Sequence, residues 1–267
     1  MASQQARKLR SGDAMPALGL GSWMLTSHTR DAVERALELG YRMIDTSGDY
    51  HTQNGIGHAI RGSAIPRAEL FVVTKVEPET DTYEATVENL KEMGLAYADL
   101  VLIHRAPDKG VGESEWRGLM RARDEGLARN IGVCSYRVDQ LQSLAQVSGE
   151  MPAVHQLEWS PFGHSLDMLN FCEANDITVQ AYSPLTRGKR LHDERLEEIA
   201  SAHDRTPAQI ILRWDLQHGV APIPKAYRED HQRENIEVFD FELDAREMAA
   251  LDALNERYSA LEKLDYL

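Results

Sequence analysis

Four proton-handling side chains stand at or just past the ends of short apolar runs. Asp45 closes the run 43–44, Tyr50 follows five residues later, Lys75 closes the run 70–74, and His104 closes the run 100–103. If these runs are parallel strands of a β/α barrel, their carboxyl ends meet at one face, where active sites are built. Carboxylate, phenol, ammonium and imidazole groups brought together there can polarise a carbonyl group and deliver a proton to it.

The combination of charges points to Tyr50 as the proton donor. A phenol has an unperturbed pKa of about 10, which is too high for an efficient acid near neutral pH. An ammonium group close by favours the phenolate and lowers that pKa, and a carboxylate keeps the ammonium charged and oriented. Taken alone, Asp45 and Lys75 are compatible with a surface ion pair, Tyr50 with a packing tyrosine, and His104 with a core histidine.

Short β-branched runs alternate with longer amphipathic stretches, a pattern typical of parallel strands joined by helices. The predicted strands lie near residues 17–21, 43–45, 70–75, 100–104, 131–135, 154–158, 178–181 and 221–224. The predicted helices cover residues 30–39, 54–61, 82–93, 113–125, 138–145, 167–174, 193–203 and 207–217. About eight such units predict a (β/α)8 TIM barrel. We expect a single domain over residues 1–267, with an N-terminal segment 1–14 and a C-terminal helix (244–255) and tail within 244–267.

A doubly wound open sheet is the competing α/β architecture, and it requires a glycine-rich turn directly after its first strand. Gly55 and Gly57 suggest such a turn, but Ile60 occupies the third glycine position and the nearest predicted strand is remote. A second candidate, Gly19 with Gly21, has Met24 at that position. The barrel is therefore favoured.

The composition argues against several classes of protein, namely nucleic-acid-binding, membrane-spanning and secreted proteins. The net charge of -14 argues against sequence-independent nucleic-acid binding, which needs a basic face. We find no apolar run of about 18 residues and no signal peptide, so we expect neither a membrane span nor secretion. The two cysteines, Cys134 and Cys172, have no metal-binding spacing, and we expect free thiols, a cytoplasmic protein and no metal site.

The chain resembles the aldo-keto reductases over nearly its full length, in particular the bacterial, diketogluconate-reductase-like members. Eight short segments carry the resemblance, and they follow one another in the family's order. They are residues 15–23, 40–46, 73–75, 99–104, 131–133, 152–156, 181–185 and 223–225.

This resemblance implies a β/α barrel that binds NADPH and transfers hydride from the nicotinamide to an aldehyde or ketone. The family's catalytic tetrad falls on Asp45, Tyr50, Lys75 and His104, all matched in identity. Tyr50 would be the general acid in reduction and the general base in alcohol oxidation. Family members are often monomers, and we expect a monomer here, with a small carbonyl compound as the partner.

The resemblance also implies cofactor contacts, with some departures. Ser135 stands where the family usually has asparagine, Gln156 matches the family's third carboxamide contact, and Tyr182 matches the ring that stacks on the nicotinamide. The pyrophosphate would meet the loop that contains Ser183, Leu185, Arg187 and Gly188. The adenosine end would meet Lys225, Arg228, His231, Glu234 and Asn235. His231 replaces the usual arginine and Ala226 the usual serine, so we expect a preference for NADPH that is weaker than in members with the full set.

The substrate pocket departs from the family pattern at Arg105, where a tryptophan usually follows the catalytic histidine. This arginine can favour an acidic or polyhydroxylated substrate, or it can point to solvent. Trp23, Met24 and Trp159 are expected as apolar pocket walls, although Trp159 is equally compatible with packing under a loop. The short tail suggests an open pocket, with candidate rim residues at Tyr258, Leu264 and Tyr266.

Two other functions are compatible with parts of the sequence. The first is a regulatory NADPH-binding barrel without catalysis, although the intact tetrad argues against it. The second is a phosphate-binding isomerase or aldolase, in which Lys75 would form a Schiff base with the substrate.

Overall fold

The computed structural model describes residues 5–267, so part of the expected N-terminal segment, residues 1–4, lies outside the described residues. The strands β1 (Ala6–Lys8) and β2 (Ala14–Pro16) form an antiparallel hairpin. Eight parallel strands then follow one another in chain order across a single sheet. They are β3 (Leu20–Gly21), β4 (Met43–Asp45), β5 (Phe71–Val76), β6 (Ala98–Ile103), β7 (Ala128–Cys134), β8 (Val154–Glu158), β9 (Thr178–Tyr182) and β10 (Ala221–Pro222).

Helices connect the strands and cover the outside of the sheet. Within the described chain they are α1 (Thr29–Leu39), α2 (Gln53–Gly62), α3 (Thr82–Met93), α4 (Glu113–Asp124), α5 (Val138–Ser148), α6 (Leu166–Ala174), α7 (Glu194–Ala202), α8 (Pro207–Gln217), α9 (Glu229–Ile236) and α10 (Ala245–Asp252). Short 3₁₀ turns cover Thr26–His28, Gly48–Tyr50, Arg67–Glu69 and Thr186–Gly188.

Backbone hydrogen bonds between the first and last strand regions close the sheet into a barrel. The N–H of Gly19 donates to the carbonyl of Pro222 at 3.0 Å, and the N–H of Gly21 donates to that of Pro224 at 3.2 Å. A Cβ at Gly21 would lie 2.6 Å from the carbonyl oxygen of Ile223, so this approach requires glycine. The predicted (β/α)8 barrel is thereby confirmed.

The alternation of side chains along each strand decides which residues reach the barrel interior. Met43, Val73, Leu100 and Leu102 belong to the inner cluster, and their strand neighbours pack under the helices. Leu9 and Met15 of the hairpin join that inner cluster. Residues two positions further along these strands, at their carboxyl ends, therefore also point into the barrel interior.

Most predicted elements are present with shifted ends, and a few differ for physical reasons. The strand predicted at 221–224 ends at Pro222 because proline has no N–H to continue a ladder. The strand predicted at 17–21 is restricted to Leu20–Gly21, which pair with Ile44 and Asp45. The hairpin and α9 were not predicted; α9 has the sequence EDHQRENI, which lacks an apolar stripe.

Both cysteines are free thiols, as the sequence predicted, and both are buried. Within residues 5–267, no helix has the length and apolar character needed to cross a membrane.

One buried carboxyl group stands apart from the active-site face. Asp215 in α8 is fully buried, and neither carboxylate oxygen has a hydrogen-bond partner among the described residues. Burial raises the pKa of Asp215 well above its ordinary value, because a charge is disfavoured where water is excluded. Such a group supports folding below the unfolded-state pKa, and that contribution is lost as pH rises through the folded-state pKa.

We expect Asp215→Asn to stabilise the protein, more at pH 8 than at pH 5, since asparagine cannot ionise. A gain of about 1 kcal/mol corresponds to a rise of roughly 2–4 °C in the thermal unfolding midpoint. Asp124→Asn, an exposed aspartate, is the matched control and should change the midpoint little at either pH. A gain for Asp215→Asn that is equal at both pH values would contradict this account.

Candidate active site

An ion pair between Lys75 and Asp45 lies inside the barrel at the carboxyl ends of β4 and β5. Nζ of Lys75 donates to Oδ1 of Asp45 at 2.6 Å and to the carbonyl of Thr46 at 2.9 Å. The two side chains are only 1% and 3% exposed. Asp45 pairs with Val73 in the ladder, so Lys75 lies two residues further along with the same inward alternation. The shape of the barrel therefore brings the two charges together.

The pair keeps Lys75 charged. Burial alone disfavours the ammonium, but the negative charge of Asp45 and its hydrogen bond favour it, and the pKa of Lys75 is raised above its ordinary value. A lysine that forms a Schiff base needs a free amine and therefore a lowered pKa. The ion pair, which keeps Lys75 protonated, thus argues against the aldolase alternative.

Tyr50 lies directly over this pair, in the 3₁₀ turn that follows β4. Nζ of Lys75 is 4.9 Å from the centroid of the Tyr50 ring. Burial raises the pKa of Tyr50 to about 12, and Lys75 opposes this rise without overcoming it. The expected lowering of the Tyr50 pKa below 10 is therefore wrong for the free protein, although the effect of Lys75 has the predicted sign.

His104 completes the group, because the register that places Lys75 opposite Leu102 puts His104 two residues beyond, on the same face. Its Nε2 is 3.2 Å from Oη of Tyr50. Its Nδ1 is 2.5 Å from Oε1 of Glu77 and 3.5 Å from Oδ1 of Asp49. The structure thus brings all four predicted tetrad residues together.

Sequence reasoning missed Glu77 and Asp49, together with Gln180 deeper in the barrel. Glu77 stands two residues after Lys75, so the strand alternation that singled out the lysine also indicated the glutamate. Nε2 of Gln156 donates to Oδ2 of Asp45 at 2.9 Å and to Oε1 of Gln180 at 2.6 Å. Gln156, expected as a carboxamide contact, is therefore also tied to the buried ion pair.

Ser135 and Tyr182 lie next to each other at the ends of β7 and β9. Oγ of Ser135 is 3.4 Å from Oη of Tyr182. Ser135 has a φ of 57°, a left-handed conformation that is uncommon for residues other than glycine. Burial raises the pKa of Tyr182, so its phenol stays neutral.

The loop after β9 carries a concentration of unusual backbone conformations. Ser183, Thr186 and Arg187 have φ values of 49°, 51° and 53°, and Gly188 has 78°. Such conformations cost of order 1 kcal/mol each outside glycine and cluster at ligand-binding loops. Leu185 is half-buried, and the guanidinium carbon of the exposed Arg187 lies 4.1 Å from the centroid of the Trp23 ring.

The residues expected at the adenosine end lie after β10 and along α9. Lys225 is exposed and has no ion pair within the described part of the chain. Arg228 precedes the first turn of α9 and pairs with Asp230. His231 is exposed, Glu234 is half-buried, and Asn235 is buried. These side chains follow one another along a single helix and the turn before it.

The residues expected to line the substrate pocket are placed unequally. Trp23 is 37% exposed and Met24 is 63% exposed, both in the loop after β3. Nη2 of Arg105 donates to Oε2 of Glu77 at 2.6 Å, with most of its side chain exposed. Trp159 is a correction: it is fully buried and stacks on Trp214 at a ring distance of 6.1 Å, so it packs in the core.

The C-terminal tail is hydrogen-bonded to Glu158, the last residue of β8, at the carboxyl-end face of the barrel. The Glu158 carboxylate accepts hydrogen bonds from Oγ of Ser259 and the N–H of Ala260, each at 2.6 Å. Its carbonyl accepts one from Oη of Tyr266 at 2.9 Å. Tyr266 and Leu264, expected at the rim, are therefore buried, whereas Tyr258 is half-buried.

Removing the Lys75 ammonium should destabilise the folded protein, because it leaves the Asp45 carboxylate buried without its cation. Breaking a buried pair on one side costs about 3–5 kcal/mol. We therefore expect Lys75→Met to lower the free energy of unfolding by about that amount in urea titrations. The double variant Asp45→Asn, Lys75→Met should recover a substantial part of the loss, and an equally destabilised double variant would contradict this account.

The chain is similar to known proteins over almost its whole length. A model of the aldo/keto reductase family matches residues 17–256. A protein named glyoxal reductase from Bacillus subtilis is 38% identical over 255 residues, which cover 93% of this chain and 92% of the relative. Methylglyoxal reductase DkgA from Yersinia pestis is 37% identical over 261 residues, covering 96% of this chain and 94% of the relative.

Solved structures give the same result. An aldo-keto reductase from Bombyx mori, crystallised in complex with NADP, superposes with a TM-score of 0.91 at 31% identity. The match covers 97% of this chain and 95% of the silkworm chain. With a tetrad-like cluster at the carboxyl end of a closed barrel, the chain belongs to the aldo/keto reductase family of oxidoreductases.

Proposed function

We propose that the protein reduces aldehydes and ketones to alcohols with NADPH, and that Tyr50 is the proton donor. The observation that carries this proposal is the position of Tyr50 between two groups. Below it lies the buried Lys75–Asp45 pair, and beside it Nε2 of His104 is 3.2 Å from the phenol oxygen. A carbonyl oxygen that reaches this position meets two groups able to donate a hydrogen bond.

The roles of the chain's residues follow from this arrangement. A bound NADPH supplies the hydride that reduces the carbonyl carbon. His104 and Tyr50 hold the carbonyl oxygen, and Tyr50 gives its proton to that oxygen as negative charge develops on it. Lys75 stabilises the phenolate that is left, and Asp45 keeps the ammonium charged. The pKa of about 12 in the free protein means that Tyr50 is fully protonated at the start of a reduction.

The side chains at the face of the barrel fit NADPH. Tyr182 offers a neutral ring for stacking on the nicotinamide, and Ser135 and Gln156 offer polar groups for its carboxamide. The strained loop 183–188 offers backbone N–H groups for the pyrophosphate. Lys225 and Arg228 offer cations for a 2′-phosphate, and the first of these has no competing ion pair in the described residues.

Small, reactive aldehydes are the substrate class we propose first, including 2-oxoaldehydes. The relatives named glyoxal reductase and methylglyoxal reductase favour this class. Trp23 and Met24 are exposed to solvent, which supports a substrate pocket with an open entrance rather than one enclosed by apolar side chains. We further propose a single-domain monomer in a reducing compartment such as the cytoplasm, in keeping with two free thiols.

A regulatory NADPH-binding barrel without catalysis is the alternative. It predicts cofactor binding without turnover, and a single assay distinguishes the two functions. The assay follows the loss of the reduced-nicotinamide absorbance after glyoxal or 4-nitrobenzaldehyde is added to protein and NADPH.

Tyr50→Phe should remove most of the reductase activity, because it deletes only the hydroxyl that carries the proton. General acid catalysis contributes about 10²–10⁴-fold to a rate, so kcat should fall by at least a hundredfold. NADPH binding, measured by quenching of intrinsic fluorescence, should be retained. Near-full activity in this variant would show that Tyr50 is not the acid.

The cofactor preference is expected to be moderate and to depend on Arg228. Wild-type kcat/KM should be higher with NADPH than with NADH. Arg228→Ala should lower the NADPH value about tenfold, the size of one charged hydrogen bond, and leave the NADH value nearly unchanged. His231→Arg, which adds a permanent cation, should raise the preference. A clear wild-type preference for NADH would contradict the proposed 2′-phosphate site.

A further inference from the structure

Glu77 joins two residues that follow the next strand. It comes directly after β5, where Val76 pairs with Ile103, so it lies level with His104. One carboxylate oxygen is 2.5 Å from Nδ1 of His104, and the other accepts a hydrogen bond from Nη2 of Arg105 at 2.6 Å. Both oxygens of this half-buried carboxylate are thus occupied.

These contacts keep Glu77 ionised. The hydrogen bond from His104 lowers the pKa of Glu77, burial opposes this, and the charges of His104 and Arg105 add to the lowering. An ionised carboxylate only accepts hydrogen bonds, so the hydrogen between the two groups belongs to Nδ1. The other ring nitrogen, Nε2, faces Tyr50 and is the one whose proton can come and go.

We propose that Glu77 is a positioning residue for His104, which holds Nδ1–H so that the ring exchanges its proton only at Nε2, beside Tyr50 and the substrate oxygen. This inference rests on the carbonyl reduction proposed above. It adds a fifth member to the group of Asp45, Tyr50, Lys75 and His104.

The proton balance of a reduction follows from this arrangement. The Tyr50 O–H bond breaks, and its proton forms the O–H bond of the alcohol. A cationic His104 then passes the Nε2 proton to the phenolate, which restores Tyr50 and leaves a neutral ring that still holds Nδ1–H. Solvent returns one proton to Nε2 after the alcohol leaves.

The charged and titratable groups around this imidazole come from three strand ends. Asp49 and Tyr50 follow β4. Lys75 is the next-to-last residue of β5, and Glu77 comes directly after that strand. Arg105 follows β6. Asp49 lies on the same side of the ring as Glu77, but its oxygen is 1 Å further from Nδ1, at 3.5 Å against 2.5 Å. Asp49 therefore adds negative charge without taking the hydrogen bond.

The test compares Glu77→Gln with Glu125→Gln, an exposed glutamate directly after α4 that is paired with Arg121. Glutamine keeps the size of the side chain and removes the charge that holds Nδ1–H. In the free protein, proton and nitrogen-15 NMR should show a strongly deshielded ring N–H proton, assigned through His104→Asn. This signal should disappear in Glu77→Gln and remain in Glu125→Gln.

The kinetic readout separates positioning from folding. At pH 7, kcat for reduction should fall roughly tenfold in Glu77→Gln, as for the loss of one charged hydrogen bond, while KM for NADPH is unchanged. Glu77→Asp should recover part of the activity, and it serves as the folded variant if glutamine destabilises the protein.

Two results would overturn the inference. One is a Glu77→Gln protein that keeps the deshielded proton. The other is a Glu77→Gln protein with wild-type kcat, in an enzyme whose wild type reduces carbonyls. If the wild type reduced no carbonyl with NADPH, the proposed function would fail by itself, and the NMR comparison would still decide where the ring hydrogen lies.

Discussion

The site depends on one buried ion pair, Lys75 with Asp45. A charge that is about 1% exposed is stable only when a partner compensates it, and here the carboxylate lies at 2.6 Å. The second carboxylate oxygen accepts from Gln156, which in turn reaches Gln180. The pair is therefore part of a polar network that crosses the barrel from β4 to β9. This network holds the Lys75 ammonium in place beneath the Tyr50 ring.

Burial and charge act on Tyr50 in opposite directions, and burial wins in the free protein. The phenol has a pKa of about 12 even though Lys75 lies beneath its ring. A site that only lowered this pKa would leave part of Tyr50 ionised and unable to donate. In the proposed reduction, this balance would keep the proton on Tyr50 until a substrate oxygen gains negative charge, when the lysine would stabilise the phenolate most.

The sequence predicted the features that depend on short-range patterns. Helices α3 and α8 and strand β8 were predicted to the residue, because their apolar periodicity and caps are local. The sequence left Trp159 open between a pocket wall and packing under a loop, and it missed Glu77, since both depend on which elements pack together. A tryptophan at a strand end can face the pocket or the core, and here stacking on Trp214 selects the core.

The same dependence on packing explains why the Tyr50 pKa was mispredicted. Residue types give the sign of each electrostatic contribution, whereas the extent of burial, which no motif encodes, gives its size. His104 illustrates the consequence for chemistry. The histidine was recognisable in the sequence, but which ring nitrogen keeps its hydrogen depends on a carboxylate that follows a neighbouring strand, placed by the register of β5 against β6. In this barrel, strand register therefore determines proton chemistry as well as position.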